Sequence, residues 1–437
     1  MQIGRTIEGL RGTTVNDSVF VTVEGFRTAT SAPKKNYWIR SNGTVREVPL
    51  SLERNQFVFA VGYTQHAEYY YHAWESKKRV FLRASILDKQ TGALIESEEQ
   101  LEVKGDPYGI YMEDGNLCLV IAEKNTFQLE LLKLEGLQLK SSQKFKLTFD
   151  LGSLNLKQAR FRLADRHFFP MRDFSQIVLT KTSDAIWISI DEHRDFTLPP
   201  PEKAEIYRTV VIKLDLNDPE QTLIKSFIEP RPIAFSSRIY DGKLFRISTD
   251  FEFDASTIDV FDIATSQKIL SRTFTNKTDF PEALTTYRGI ENTIAKAAVT
   301  KPFYKQRNSL AYVTSLAPNE YLLAKGYESE YKPSSGLLHN AGLVGLLASL
   351  AVKALVSELS NSNCVYSYMY LKLNLDGTVS TVKESDLLIT DVDNFEIQQF
   401  GAKGQPAMKG YLASEDAFYA FYVPKKSTQV LVYRFTK

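Results

Sequence analysis

Four consecutive residues near the middle of the chain combine the side chains that acid–base chemistry uses. They follow the apolar run of residues 185–190 and are Asp191, Glu192, His193 and Arg194. A carboxylate and an imidazole can exchange a proton with one substrate when both side chains reach it. Charged residues at a strand end are more often simply solvated, so we take these four as candidate ligand-binding residues and assign no catalytic residue.

Four further basic residues are candidates for holding an anionic group. Arg172 and Arg238 lie in segments that we expect to be inner strands, and guanidinium groups bind carboxylates and phosphates through paired hydrogen bonds. Lys77 and Lys78 join two strand-like segments and can meet an anionic ligand there, although a run of charges at a turn usually faces solvent. These residues complete the set of candidate ligand-binding residues.

The established motifs of catalysis and cofactor binding are not found. The sequence contains no G-x-S-x-G, H-E-x-x-H or C-x-x-C motif, no phosphate loop and no dinucleotide fingerprint. Its 5 histidines show no metal-ligand spacing, and its 2 cysteines, Cys118 and Cys364, lie in apolar runs typical of buried free thiols. We therefore predict no metal site and no cofactor.

Composition restricts the class of partner. The 53 basic residues are balanced by 52 acidic ones, whereas nucleic-acid-binding proteins normally have a basic excess, so we expect no nucleic-acid partner. An aromatic content of 12% favours β-strands. Residues 1–12 lack the apolar core of a signal peptide. Because an extracytoplasmic chain whose leader had been removed would look the same, the cellular compartment stays open.

A repeat runs through most of the chain. Apolar strand-like runs end in a polar turn and then restart as a second strand. The residues at these turns are Ser41, Asp88, Glu135, Asp215, Asp262, Asn374 and Phe435. Three of the steps between successive turns are each 47 residues long. A period of about 40–50 residues with four strands per unit is the signature of β-propeller blades. We therefore predict one all-β domain over residues 1–437, a seven-bladed β-propeller.

The turn at Asp88–Gly92 has the sequence D-x-x-T-G after an apolar strand, and it resembles the blade turn of quinoprotein-like β-propellers. Over most of the chain the resemblance lies in the regular spacing of the strand–turn–strand units. It implies the propeller fold without a chemistry, because propellers host hydrolases, lyases and binding scaffolds alike. The regular tryptophan docking of quinoproteins is absent, since the chain has only Trp38, Trp74 and Trp187. No quinone or nucleotide site is therefore carried over.

Four insertions fall at connections that a propeller places on one face. They span about residues 149–166, 192–205, 276–306 and 328–364. Insertions gathered on one face of a repeat protein usually mark its binding side. We therefore expect function at this face.

Two of the insertions are predicted to be helical, over residues 281–299 and 340–359. The second is apolar nearly all round and is about as long as a bilayer-spanning helix. Lys353 and Glu358 inside it, and its place within a blade, argue against spanning, so we predict no transmembrane segment. We expect it to lie across the propeller or to form an interaction surface. The leucines of that surface are Leu343, Leu346, Leu347, Leu350 and Leu355.

Two hypotheses about function follow. The leading one is a non-enzymatic binding or scaffold propeller that engages a protein, peptide or glycan through the inserted face, because no convergent catalytic set is found. The alternative is a propeller hydrolase or lyase with a site at the mouth of the central channel. It requires at least two titratable groups within hydrogen-bond reach around one pocket. The sequence does not determine the ligand, the oligomeric state, or whether the chain is an enzyme.

Overall fold

The computed structural model of the chain consists of β-strands joined by turns wherever it is described. The structure describes residues 7–15, 18–25, 34–52, 57–76, 79–97, 100–103, 106–122, 128–146, 160–163, 177–192, 207–229, 234–250, 255–275, 284–288, 309–330, 364–382, 408–413, 417–424 and 427–436. Within these ranges there is no helix, and hence none long and apolar enough to cross a membrane.

The chain divides into two compact units. The first contains residues 1–154, 336–362 and 388–437, and the second contains residues 155–335 and 363–387. The first unit begins with β1 (Ile7–Val15), β2 (Ser18–Gly25), β3 (Lys34–Ile39), β4 (Val45–Val48), β5 (Phe57–Tyr63), β6 (Ala67–Ser76), β7 (Arg79–Asp88), β8 (Leu94–Glu96), β9 (Leu101–Val103), β10 (Asp106–Glu113), β11 (Asn116–Ala122), β12 (Gln128–Glu135) and β13 (Gln138–Lys146). The second unit comprises β14 (Arg160–Leu163), β15 (Ile177–Lys181), β16 (Ala185–Glu192), β17 (Tyr207–Asp215), β18 (Thr222–Glu229), β19 (Ala234–Tyr240), β20 (Lys243–Asp250), β21 (Ala255–Asp262), β22 (Lys268–Phe274), β23 (Leu284–Arg288), β24 (Ser309–Ala317), β25 (Glu320–Glu330), β26 (Cys364–Asn374) and β27 (Val379–Thr381). The first unit ends with β28 (Met408–Ala413), β29 (Ala417–Val423) and β30 (Leu431–Thr436).

Each unit is built from largely antiparallel sheets in which strands adjacent in sequence are mostly adjacent in space. The described strands of the first unit form the sheets β1–β4, β5–β9, β10–β13 and β28–β30, and those of the second form β14–β18, β19–β22 and β23–β27. The simple order β10-β11-β12-β13 recurs as β19-β20-β21-β22. This four-stranded unit is the repeat of a β-propeller. The prediction of an all-β chain with propeller-type repeats is therefore confirmed, whereas seven blades and a single domain stay predictions.

Six of the seven repeat positions found in the sequence lie at turns that lead into outer strands, whereas Phe435 lies within the last strand, β30. Asp88 is the last residue of β7, and its Oδ1 accepts hydrogen bonds from the backbone N–H of Gln90 at 2.9 Å and of Thr91 at 2.7 Å. Asp262 ends β21 and accepts a bond of 2.7 Å from the N–H of Thr265 in the same way. These bonds favour the ionised carboxylate and lower the pKa of both aspartates. The recurring aspartate therefore has a local cause, the closing of its turn.

The core of each unit lies between neighbouring sheets. In the first unit the ring centroids of Phe20, Trp38 and Tyr70, from β2, β3 and β6, are 5.3 to 6.5 Å apart. In the second unit Phe245 of β20 packs on Tyr321 of β25 at 4.8 Å. The second strand of a sheet is buried on both sides, as the fully buried β2 shows. A polar side chain on such a strand therefore requires a hydrogen-bond partner inside the protein.

The helix predicted over residues 281–299 is wrong where the structure describes it. Residues 284–288 form β23, which pairs antiparallel with residues 366–370 of β26. Their sequence, Leu-Thr-Thr-Tyr-Arg, is rich in β-branched and aromatic residues, and this part of the β26 edge is left open by the short β27. Strand pairing there outweighs the helical spacing of the apolar residues. The helix predicted over 340–359 and the rest of 281–299 lie outside the described residues.

Candidate functional site

Asp191, the first of the sequence-derived candidates, occupies a buried position near the end of β16. It lies opposite Thr209 of β17, whose Oγ1 donates a hydrogen bond to Asp191 Oδ1 at 2.9 Å. The backbone N–H of Ser237, in the first strand of the next sheet, donates to Asp191 Oδ2 at 2.8 Å. One carboxylate therefore connects three strands from two sheets of the second unit.

Arg238 lies beside this carboxylate. Its guanidinium is buried and donates a hydrogen bond of 2.6 Å to the Ser237 carbonyl oxygen, while the hydroxyl oxygens of Ser237 and Thr209 are 2.8 Å apart. Asp191, Thr209, Ser237 and Arg238 are called the Asp191 cluster below. Two candidate residues that lie 47 positions apart in the sequence thus meet in one place.

Burial dominates the electrostatics of the Asp191 cluster. Desolvation raises the pKa of the Asp191 carboxyl, and the hydrogen bonds from Ser237 and Thr209 together with the charge of Arg238 offset only part of this effect. A raised pKa is shared by catalytic acids and by buried structural carboxylates. The geometry around the carboxylate must therefore distinguish the two roles.

That geometry fits a structural role better than proton transfer. Both oxygens of Asp191 accept hydrogen bonds from the fold, and the Asp191 side chain is enclosed together with Thr209 and Ser237. A general acid must come within hydrogen-bond distance of the atom that it protonates. Here the carboxylate is occupied in joining β16 and β17 to β19, and removing a bond to a buried charged group costs about 1–3 kcal/mol.

The other candidates cannot be placed around the Asp191 cluster. Glu192 is the last residue of β16 and lies opposite Arg208 in the strand register, but its side chain is outside the described part of the chain. Also outside it are Arg172, His193, Arg194, Lys77 and Lys78, and the leucines Leu343, Leu346, Leu347, Leu350 and Leu355. The roles assigned to these residues stay predictions.

Sequence reasoning missed Thr209 and Ser237, the two residues that fix Asp191. Thr209 carried a usable signal, because β16 and β17 pair as an antiparallel hairpin and the register places Thr209 opposite Asp191. Ser237 carried none, because its contact with Asp191 joins two different sheets. Such a contact depends on how the sheets pack and not on the register of any one hairpin.

Similar buried polar pairs occur between the second and third strands of other sheets. Thr22 Oγ1 of β2 donates to Asn36 Oδ1 of β3 at 2.8 Å. In the second unit a nitrogen of Arg246 on β20 lies 3.5 Å from Asp259 Oδ2 on β21. Each pair satisfies polar groups on strands that are buried on both faces. Their recurrence supports a structural role for the Asp191 cluster.

Comparisons with known proteins assign no family to the chain. No family model matches it, and no curated protein matches its sequence. Among solved structures, the β-propeller domain of the Trilobed protease from Pyrococcus furiosus is 10% identical, with a TM-score of 0.24, covering 73% of this chain and 91% of that one. A β-xylosidase/α-arabinofuranosidase of glycoside hydrolase family 43 from a compost microbial metagenome is 9% identical, with a TM-score of 0.25, covering 62% and 91%.

A prolyl endopeptidase structure is 8% identical with a TM-score of 0.39, and the match covers 99% of this chain and 50% of that one. Similarity at this level says nothing about the chemistry of the chain. Its class, an all-β protein with propeller-type repeats, is defined by its own strand order.

Proposed function

We propose that this chain is a non-enzymatic binding or scaffold protein of the propeller type, which engages a protein, peptide or glycan through the inserted ends of its sheets. The observation that carries the proposal is the engagement of both Asp191 oxygens, by Thr209 and by the backbone of Ser237. A candidate acid that holds two sheets together is committed to the fold. Within the described residues Asp191 is thereby better explained as a structural group than as a catalyst.

The lengths of the connections support a binding face at one end of each sheet. The first and second strands of a sheet are joined by short turns, such as residues 114–115 before β11 and 241–242 before β20. The turns of residues 182–184 before β16 and 318–319 before β25 are equally short, whereas the next connections, residues 193–206 before β17 and 331–363 before β26, are long. In an antiparallel order these two kinds of connection lie at opposite ends of the sheet. Long connections at one end are where binding residues concentrate in repeat proteins.

The alternative, a hydrolase or lyase, is favoured by one specific observation. Asp191 and Arg238 meet in one cluster, and burial raises the pKa of Asp191, as is common for catalytic acids. In that case Asp191 must exchange its bond to Thr209 or Ser237 for one to a substrate. The two hypotheses therefore differ in what the Asp191 carboxylate does when a ligand binds.

Peptide and glycan arrays probed with the full chain test the binding proposal. Two variants replace residues 193–206 or residues 331–363 with Gly/Ser linkers, and a control variant carries Asn217→Ala and Asp218→Ala in the turn at the other end of the sheet that contains β16. We expect binding to be lost in at least one linker variant and kept in the control. Binding that survives in both linker variants would contradict the proposal.

Asp191→Asn separates the binding hypothesis from the enzyme hypothesis. The amide can accept from only one of Thr209 and Ser237, so we expect a loss of about 1–3 kcal/mol in the free energy of unfolding. Array binding should persist wherever the variant remains folded. If the intact chain instead cleaves an array ligand, and Asp191→Asn abolishes cleavage at an unchanged melting temperature, the hydrolase hypothesis is correct.

A further inference from the structure

An open groove lies in the first unit and is lined by residues of the sheet β1–β4 and of the sheet β5–β9. Its volume is about 640 Å³, within the range of small-molecule sites. Two hairpin turns form its rim, residues 40–44 between β3 and β4 and residues 88–93 between β7 and β8. Nothing in the sequence analysis pointed to this groove, because its two walls come from different sheets.

The floor of the groove is an ion pair beside an aromatic ring. Arg46 Nη2 lies 2.6 Å from Glu68 Oε2, and the Tyr70 hydroxyl donates to the same oxygen at 2.5 Å. The guanidinium carbon of Arg46 is 5.9 Å from the ring centre of Trp38, within the range of a cation–π contact. These contacts hold the guanidinium and the carboxylate in fixed positions. Such preorganisation lowers the entropic cost of binding a ligand.

The floor keeps hydrogen-bonding capacity for a ligand. The Arg46 side chain is 39% exposed and lines the groove, so part of its guanidinium can donate to a bound molecule. Glu68 also lines the groove with the 7% of its side chain that is exposed, and both of its hydrogen bonds in the described part go to Oε2. Its Oε1 therefore provides an acceptor next to the Arg46 donors.

The two turns of the rim are held by their own side chains. Asn42 Oδ1 accepts a hydrogen bond of 3.0 Å from the Thr44 N–H. Asp88 Oδ1 accepts bonds from the N–H and the hydroxyl of Thr91, at 2.7 and 3.0 Å. The Asp88 carboxylate is thus engaged by its own turn. The rim is preformed, and its one groove-lining carboxylate, that of Asp88, is engaged by the turn.

Basic side chains outnumber carboxylates in the groove, with Arg40, Arg46 and Lys89 against Glu68 and Asp88. Lys89 Nζ donates to the Thr64 carbonyl oxygen at 2.6 Å and lies 5.5 Å from the ring centre of Tyr63, so its charge stays at the groove. Arg40 is exposed, and its side chain makes no hydrogen bond or ion pair within the described ranges. An anionic group of a ligand is therefore favoured at the rim.

We propose that this groove binds a sugar acid, a ligand with several hydroxyl groups and one carboxylate. Hydroxyl groups donate and accept at once, which suits the adjacent Arg46 donors and Glu68 acceptor on the floor. A carboxylate suits Arg40 at the rim, because a guanidinium binds carboxylates through paired hydrogen bonds. The groove is at the short-turn end of its two sheets. The inference therefore does not rest on the proposed function, which uses the opposite ends.

The indole N–H signal of Trp38 in a ¹H–¹⁵N NMR spectrum reports directly on the groove. The chain has 3 tryptophans, so the signals are few; Trp38→Phe assigns one, and Trp187 in the second unit is an internal reference. We expect glucuronate to shift the Trp38 signal saturably and leave that of Trp187 unchanged. Glucose, which lacks the carboxylate, and acetate, which lacks the hydroxyls, should each bind at least about tenfold more weakly, the ratio of one charge-assisted hydrogen bond.

Matched variants test whether the carboxylate of the ligand contacts Arg40. Arg40→Ala should weaken glucuronate binding about tenfold and leave glucose binding unchanged. Lys144→Ala, which removes an exposed lysine from β13 of the same unit, should change neither. Arg40→Lys keeps the charge but cannot form paired hydrogen bonds. Its affinity for glucuronate should therefore lie between those of the intact chain and of Arg40→Ala. The absence of a saturable shift with glucuronate, equal binding of acetate or of a glutamate-containing dipeptide, or full affinity in Arg40→Ala would overturn the inference.

Discussion

Two arginine–carboxylate pairs, one in each unit, have the same chemistry in different surroundings. Arg46 and Glu68 connect two sheets of the first unit at 2.6 Å, and their side chains are 39% and 7% exposed. Arg246 and Asp259 face each other across β20 and β21 of the second unit at 3.5 Å, with side chains 1% and 4% exposed. The first pair borders a groove, whereas the second is enclosed.

Aromatic rings account for the difference in exposure. Arg46 has Trp38 within 5.9 Å of its guanidinium carbon, and its remaining surface lines the groove. Arg246 has two rings, Phe261 at 4.8 Å and Phe235 at 5.6 Å, which cover it more completely. An arginine on a propeller strand is thus a candidate for binding only where the packing leaves one of its sides open. Residue type alone does not separate the two roles.

The largest expected effect is that of Arg246→Ala, which leaves the buried Asp259 carboxylate without its enclosed partner. Breaking a buried pair in this way costs about 3–5 kcal/mol. Lys268 Nζ, 3.0 Å from Asp259 Oδ1, lies half-exposed and should compensate only in part. The measurement is urea denaturation of the full chain.

The control for this variant is the double substitution Arg246→Met with Asp259→Leu. Replacing both partners by apolar residues of similar size should recover most of the lost free energy of unfolding. A loss below about 1 kcal/mol in Arg246→Ala would match a surface pair instead. It would remove the distinction between the enclosed pair and the open one.

A buried histidine of the first unit, His72, shows how enclosure changes the protonation of a titratable group. His72 is buried, and its Nε2 lies 2.8 Å from Ser85 Oγ. Burial, followed by the charges of Arg83 and Lys34, lowers the pKa of His72 to about 4. An unfolded histidine titrates near 6.5, so between these two pH values the unfolded chain binds a proton that the folded chain does not. The free energy of unfolding therefore rises with pH across this window.

We expect the chain to lose about 3 kcal/mol of stability as the pH falls from 7 to below 4. This follows from about 1.4 kcal/mol for each unit by which the pKa of His72 differs between the folded and the unfolded chain. Carboxylates titrate in part of the same range, so the measurement is the difference between the intact chain and His72→Gln, which cannot titrate. Plotted against pH, the free energies of unfolding of the two chains should converge as the pH falls. Parallel curves at every pH would show that His72 is open to solvent.

The repeat could be predicted from the sequence because its cause is local. Asp88, Asp215 and Asp262 each end a strand and accept hydrogen bonds from backbone N–H groups two or three residues further on, so the same residue type recurs at the same place in each sheet. Asp191 and Arg238, chosen separately as candidate ligand-binding residues, lie in one cluster, and a ligand-binding role for them stays a prediction. Their role was not predictable, because it is decided by Ser237, which reaches Asp191 across two sheets.

The errors and omissions have the same physical origin. Residues 284–288 have helical spacing, but they form a strand because the edge of β26, far along the chain, supplies backbone partners. The pair of Arg46 and Glu68 was missed because β4 and β6 belong to different sheets. Local patterns therefore predict turns and strands, whereas contacts between sheets determine which charged residues remain open.

The smallest expected effect on stability is that of Arg46→Ala, which tests the ion pair that borders the groove. The arginine is 39% exposed but its partner Glu68 is only 7% exposed, so its loss should cost about 1–3 kcal/mol, below the effect of Arg246→Ala. Glu68 keeps the hydrogen bond from the Tyr70 hydroxyl and borders the groove, so water can replace the guanidinium only in part. The measurement is again urea denaturation, with Glu68→Gln and the double variant completing a cycle. A coupling energy of about 3 kcal/mol between Arg46 and Glu68 would show that the floor of the groove is part of the enclosed core and would leave no open arginine for a ligand.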